Sequence, residues 1–294
     1  MNYYFLPGTG IYGGIKVGYQ FADLLNGLGA RCIVVTPDGC APDWFQASAP
    51  TLAEAAAIPR LRAGDVLLFS LPHDHPRLSA LPGRMVFHCQ GTDPLIDAVI
   101  ADPRVTLLTC WPQAAAFVRE RTGRASLDVG ISVADAFRYQ GQPKLPGTVA
   151  FMPRRGTDIA DSCCAGNPGL RFVPIEGATE SQAAALMLRS EFYLATSVNE
   201  WFGLPALEAM AAGCVVVSAP TVGGGAYLRD GVNCRVADPR DLPEALAGLA
   251  AHGARADRAR LRDRALATAA AYFPARQRAR VARCLDEGLS FLRP

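Results

Sequence analysis

Short apolar runs alternate with longer stretches of helical periodicity almost from one end of this chain to the other, and that rhythm constrains its fold more than any other feature. A run of four or five apolar residues without polar alternation is buried on both faces. In practice it is a parallel strand covered by helices. Tyr3-Tyr4-Phe5-Leu6, Cys32-Ile33-Val34-Val35, Val66-Leu67-Leu68-Phe69, Met85-Val86-Phe87 and Val105-Thr106-Leu107-Leu108 are read as strands, with a helix over residues 14–28 closed by Gly29. The stretch QGQPKLPG over residues 140–147 is polar and rich in Pro and Gly, and the alternation restarts beyond it. Strands are expected at 148–151, 171–173, 192–195 and 214–217, helices at 180–189 and 206–212, and a helical pattern from Leu242 that Pro274 interrupts. The reading is α/β: two Rossmann-like domains, 1–143 and 144–274, and a C-terminal helix over 275–294 that packs back towards the first domain.

Composition narrows the function classes. With 294 residues, 50% of them hydrophobic, and a formal charge of +2, the chain has material for two cores,. Disorder is excluded by that apolar content, and a balance of 29 basic to 27 acidic residues gives no reason to expect nucleic acid as a partner,. Nine cysteines, an odd number without CxxC spacing, read as reduced and mostly buried thiols of a cytoplasmic protein; a redox role for the adjacent Cys163 and Cys164 stays open,. The start of the chain lacks the pattern of a signal peptide, and no run of ~18 apolar residues could span a membrane. The expected location is cytoplasmic, with peripheral contact at the inner face of the plasma membrane left open through the Arg-rich tail.

Two segments carry chemistry. The first strand runs into Gly8-Thr9-Gly10-Ile11-Tyr12-Gly13-Gly14, a G-x-G-x-x-G turn opening a helix. Small residues let the backbone approach a diphosphate, and the helix start offers unpaired N–H groups. The acid expected ~20 residues on is missing or displaced, since the second strand ends in Thr36-Pro37-Asp38,. The turn either contacts an anion or is simply tight, and it does not identify a ligand. The second segment is Ser197-Val198-Asn199-Glu200-Trp201-Phe202-Gly203-Leu204-Pro205-Ala206-Leu207-Glu208, ending in Ala209-Met210-Ala211-Ala212-Gly213. Pro205 fits the first turn of a helix, so Glu200 on the loop and Glu208 within the helix face one crevice beside the N–H groups at Phe202, Gly203 and Leu204. Carboxylates accept hydrogen bonds from sugar or ribose hydroxyls, and a helix start suits a diphosphate.

The E-x7-E spacing, the Ala-Met-Ala-Ala-Gly helix, Cys-Val-Val-Val and Asp230-Gly231-Val232-Asn233 resemble the donor half of retaining GT-B glycosyltransferases, in particular family 4, closely over residues 148–246 and loosely before that. The resemblance implies two Rossmann-like domains whose parallel sheets face each other across a cleft, an N-terminal acceptor domain and a C-terminal nucleotide-sugar domain. It implies that Glu200 contacts the transferred sugar, that Glu208 holds the ribose, and that Arg154 and Arg155 stand in for the Arg and Lys pair that neutralises the diphosphate. They sit closer together than that pair usually does. It also implies that the segment at Ile175 contacts the base, and that Gly13 and Gly14 lie by the donor. No Asp-x-Asp motif or clustered His and Cys spacing is found, so no metal and no cofactor is expected beyond the nucleotide sugar itself.

The chain also departs from the family pattern. His88-Cys89-Gln90-Gly91-Thr92-Asp93 puts Gln90 where relatives carry a His near the sugar; His88 either substitutes for it or is a core histidine. Gln90 can hydrogen-bond but cannot titrate near neutral pH. His73 and His75, after another strand, are candidates for an acceptor-side base, or belong to a polar loop. In Thr221-Val222-Gly223-Gly224-Gly225-Ala226, Ala226 stands where relatives place an acid. The expected function is retaining, metal-independent transfer of a sugar from a nucleoside diphosphate sugar to a hydroxyl acceptor of unknown type. The alternative is a non-catalytic GT-B subunit or sugar-binding partner. A nicotinamide oxidoreductase would use the glycine turn but leave Glu200 and Glu208 unexplained.

Overall fold

The computed structural model describes residues 1–198, 200–222 and 226–293. The chain divides into two compact units, one made of Met1–Ser132 with the segment from Ala275 onward, the other of Val133–Pro274.

The first unit is built on a seven-stranded sheet of β1 (Asn2–Phe5), β2 (Cys32–Thr36), β3 (Thr51–Ala53), β4 (Val66–Phe69), β5 (Arg84–Cys89), β6 (Thr106–Thr109) and β7 (Leu127–Asp128), in the order β3-β2-β1-β4-β5-β6-β7. Every pairing is parallel. Its helices are α1 (Gly13–Gly27), α2 (Glu54–Ala57), α3 (His75–Leu78), α4 (Asp97–Ala101) and α5 (Pro112–Thr122). The second unit has a five-stranded parallel sheet of β8 (Leu145–Phe151), β9 (Arg171–Pro174), β10 (Ser190–Ala195), β11 (Val215–Ser218) and β12 (Arg235–Val236), in the order β12-β11-β10-β8-β9. With it go α6 (Thr157–Gly166), α7 (Glu180–Arg189), α8 (Leu204–Ala211), α9 (Leu242–Ala250) and α10 (Arg255–Ala269). The last helix, α11 (Pro274–Glu287), sends Val281, Cys284 and Leu285 into one core with Tyr4, Phe21 and Val34 of the first unit.

The first unit closes at Ser132, eleven residues before the boundary read at residue 143. Residues 133–143 go with the second unit because its hydrogen bonds hold them. Val133 N–H donates to the Tyr272 carbonyl and Tyr139 N–H to that of Ala211. The Tyr139 ring packs so close to Gly213 that a Cβ there would meet it at 2.9 Å.

Each sheet has one switch point, where consecutive strands leave in opposite directions and the loops beyond their carboxyl ends part to leave a crevice. In the first unit it falls between β1 and β4. In the second it falls between β8 and β10. All nine cysteines are unpaired thiols, seven of them buried. Among the described residues no helix is long and apolar enough to cross a membrane.

Candidate functional site

The second unit's switch point gathers most of the residues expected to matter. β8 ends at Phe151 and is followed by Arg154, Arg155 and Gly156; β10 ends at Ala195 and is followed by Thr196, Glu200 and Gly203. The two loops are locked together. Thr196 Oγ1 donates to the Arg155 carbonyl at 2.8 Å, and Gly156, at φ +79°, passes so near the Thr196 carbonyl that no side chain fits between them. Gly156 takes the left-handed conformation at no steric cost and starts α6,. Held this way, Arg155 Nη1 lies 3.2 Å from Glu200 Oε1, an ion pair 45 residues apart in sequence. Both side chains reach solvent, at 49% and 25% exposure, and an ion pair that open stabilises a fold by only about 0–1 kcal/mol,. Stability does not account for the pairing. Arg154 is exposed beside it.

Gly203, at φ +77°, turns the chain into α8. Its carbonyl accepts the Tyr227 hydroxyl, and Tyr227, Phe202 and Tyr272 form a cluster of rings with centroids 5.1 to 6.3 Å apart beneath the turn. Pro205 is the second helical residue, where its missing N–H costs nothing,. Leu204 and Phe202 are buried, and Trp201 is half-buried. Glu208 sits one turn further on at 5% exposure, near enough to Tyr193 for its charge to help burial raise the Tyr193 phenol. Ile175 is buried and its N–H donates to the Phe151 carbonyl at 2.7 Å, so the segment expected to meet the base is anchored to β8. Asn199 and the glycines Gly223, Gly224 and Gly225 lie outside the described residues; Ala226 is half-buried.

In the first unit Gly13 and Gly14 open α1, and Gly13 borders open space. At Gly14 a Cβ would come within 2.9 Å of Gln90 Oε1, so the absence of a side chain there admits the Gln90 amide. Gln90 Nε2 donates to Tyr4 Oη at 3.3 Å. His88 is not a sugar contact. It is wholly buried, with Nδ1 2.7 Å from Tyr4 Oη and Nε2 3.1 Å from Cys110 Sγ, and burial pushes its imidazole down to about 3. β5 is buried on both faces from Met85 to Cys89, so His88 lies in the core, while Gln90, just beyond the strand's end, stays half-exposed. His75 is engaged by Asp102 at 3.0 Å, and Asp102 also binds Arg104. Sequence reading missed Thr196, Gly156 and Tyr227. A threonine just past the end of β10 and a glycine after the arginines were the available signals.

Among the described residues no group of three or more His, Cys, Asp and Glu side chains is arranged to hold a metal ion. What the second unit offers chemically is a pair of guanidinium groups for an anion, one half-exposed and one buried carboxylate for hydroxyls, and the start of an eight-residue helix between them,.

Residues 157–252 match the family model described as glycosyl transferases group 1. No curated protein matches the chain. Among solved structures, HepE from Anabaena, in complex with UDP and glucose, is similar over 97% of this chain and 99% of its own, with a TM-score of 0.73 at 12% identity. Sucrose-phosphate synthase from Thermosynechococcus elongatus is similar over 98% and 99%, with a TM-score of 0.75 at 12% identity. WaaG, a glycosyltransferase involved in lipopolysaccharide biosynthesis, is similar over 98% and 100%, with a TM-score of 0.65 at 13% identity. At these identities the likeness concerns the fold, which is GT-B.

Proposed function

We propose that this chain, a GT-B protein with a glycosyl transferases group 1 match over residues 157–252, transfers a sugar from a nucleoside diphosphate sugar to a hydroxyl acceptor, retaining the anomeric configuration and using no metal ion. The observation that carries the reading is the meeting of Arg155 and Glu200 at the switch point beside the start of α8. An anion-binding group and a hydroxyl-binding group side by side are what a sugar diphosphate requires.

In this reading Glu200 accepts hydrogen bonds from hydroxyls of the transferred sugar, and Glu208 holds the ribose. As the bond from the anomeric carbon to the phosphate oxygen breaks, negative charge grows on the leaving diphosphate. Arg154, Arg155 and the backbone N–H groups at the start of α8 stabilise that charge, and each such donor contributes a few kcal/mol to a developing anion. The acceptor oxygen forms its bond on the face the diphosphate leaves, and its proton passes to the departing phosphate oxygen. The complexes of HepE with UDP and with UDP-glucose favour a uridine nucleotide as the donor to try first. The reaction is placed in the cytoplasm, at the inner face of the plasma membrane where the acceptor is lipid-linked; co-sedimentation with anionic vesicles tests that placement.

A thermal-shift panel of UDP-, GDP-, ADP- and dTDP-sugars tests the donor, since a ligand bound only by the native state raises the midpoint. Turnover that survives chelator, with a product whose anomeric proton matches the donor's, is the expected result. No shift with any nucleotide sugar overturns the function. An inverted product or loss of rate on chelation overturns that part alone.

A further inference from the structure

The ion pair at the second unit's switch point ties up the very groups that a sugar diphosphate would need. Arg155 Nη1 lies 3.2 Å from Glu200 Oε1. A carboxylate and a phosphate bind a guanidinium through the same fork of N–H donors, so Glu200 stands on Arg155 where a phosphate oxygen would stand. A carboxylate that stayed there would repel the arriving anion.

The two backbones are pinned and the two side chains are not. Thr196 Oγ1 holds the Arg155 carbonyl at 2.8 Å, and the Glu200 carbonyl accepts the Val222 N–H at 2.9 Å. Both side chains reach solvent, and a pair this open shifts an equilibrium by no more than about fivefold,. A diphosphate, which carries more negative charge than a carboxylate, can displace Glu200 by side-chain rotation alone. Filling the crevice is therefore an exchange of partners.

We propose that Glu200 is an internal competitor for the diphosphate on Arg155. A sugar nucleotide takes Arg155 and releases Glu200 to the sugar hydroxyls. A nucleoside diphosphate without its sugar gives the displaced carboxylate nothing to hold, and Glu200 goes on competing for Arg155. This rests on the proposed function for the roles of the two residues and extends it to discrimination between the donor and the spent product. A site filled by its own side chain loses apparent affinity in proportion to the time it is filled. The loss falls on the ligand that offers the carboxylate no new partner, so repulsion of the product adds to attraction of the donor.

Calorimetric titration at low ionic strength tests the exchange in wild type, Glu200→Gln, Arg155→Met and the double variant. Glu200→Gln should bind UDP ~3–5-fold tighter than wild type, the range of one open ion pair, and UDP-glucose no tighter. Glu200→Ala should share the gain for UDP, so the result does not hang on one variant's folding. In the Arg155→Met background Glu200→Gln should change UDP binding by less than ~2-fold, since the two substitutions act through one contact. Unchanged or weaker UDP binding by Glu200→Gln overturns the proposal, as does an equal gain for UDP-glucose. So does an equal gain in the Arg155→Met background, which would place the effect in the general field of the carboxylate rather than in the pair. Inorganic pyrophosphate, an anion without base or sugar, gives an arm independent of the donor. Glu200→Gln should bind it tighter than wild type, and no gain overturns the proposal. Failure of wild type and Glu200→Gln alike to bind UDP or UDP-glucose counts against the donor reading instead, and the pyrophosphate titration still decides the exchange.

Discussion

The two units solve the problem of holding polar groups at a sheet's switch point in opposite ways. In the second unit the polar groups are charged, open to solvent and carried on two loops, with Arg155 and Glu200 paired at 3.2 Å and half of the Arg155 side chain exposed. In the first they are neutral and sunk in the core, where Tyr4, His88 and Cys110 satisfy one another and only Gln90 emerges. An exposed ion pair stabilises a fold by ~1 kcal/mol at most, whereas one unmade bond in a buried network costs ~1–3 kcal/mol. The second unit's groups are thus separable from its fold. Those of the first unit are not.

The largest effect that can break this contrast is kinetic. Glu200→Ala and Arg155→Ala should each lower the rate of sugar transfer ~10²–10³-fold, the cost of losing a positioned polar contact to a transition state. Their denaturation midpoints should stay near that of wild type. A steady-state assay beside a thermal melt checks both halves, and an inactive variant that also melts well below wild type would mean the pair is structural after all.

Backbone geometry around those side chains should behave differently. Gly156 is left-handed and its neighbour is a carbonyl oxygen of Thr196, which cannot rotate away. Gly156→Ala is expected to cost at least ~1–3 kcal/mol from the backbone conformation alone, with displacement of the Thr196 carbonyl added. Urea denaturation measures it. Activity should fall as well, since the same turn carries Arg155. Wild-type stability in Gly156→Ala would show that the loops are not locked as described.

Which of these features could be read from the sequence follows from how far apart their parts lie. The strand over 66–69 and the helix over 180–189 match β4 and α7 end to end, because a compact apolar run and an N-terminal Thr179 cap bound them locally. β3, β7 and β12 went unread: two or three residues at a sheet edge make no run. α8 starts two residues before the helix read from Ala206, since Pro205 belongs inside the first turn. Glu200 and Glu208 stood out because both lie in one contiguous segment. The Arg155 to Glu200 pair depended on β8 and β10 being neighbours, which spacing alone does not reveal. The relay in the first unit was invisible, since Tyr4, His88 and Cys110 each look like one more residue of a buried strand. Polar residues within apolar runs on three separate strands are the trace it leaves.

The buried side of the contrast sharpens with pH. Unfolded, His88 takes up a proton near 6.5; in the native protein burial holds it at about 3. Between those values the unfolded chain binds the extra proton, so stability is complete above 6.5 and is lost as pH falls towards 3. At pH 5 the loss should be about 2 kcal/mol, from 1.36 kcal/mol per pH unit. Urea midpoints measured from pH 7 to 4.5 should fall more steeply for wild type than for His88→Gln. Parallel slopes would place His88 in contact with water.

The second unit has its own buried base, and its effect should be the smallest of these. Lys144 Nζ donates to the carbonyls of Met187 and Ala212, at 3.0 and 2.5 Å, where α7 and α8 end; Tyr139, Cys214 and Arg262 are its other polar and charged neighbours. Burial lowers it to about 8 against an unfolded value near 10.5, the direction in which a neutral amine is preferred. Native protein therefore releases this proton before the unfolded chain does, and stability rises as pH climbs from 8 towards 10.5. Partial exposure reduces the gain, which should be roughly 1 kcal/mol by pH 9. Other thiols and phenols titrate in the same interval, so the quantity to measure is the difference between wild type and Lys144→Met. That variant also strands two helix-end carbonyls and should start from a lower baseline, but a baseline does not alter a slope. A wild-type curve that gains nothing on Lys144→Met between pH 8 and 9 would mean that the helix-end carbonyls fully offset the burial of the charge. The second unit would then hold all its charges without penalty, inside as well as out.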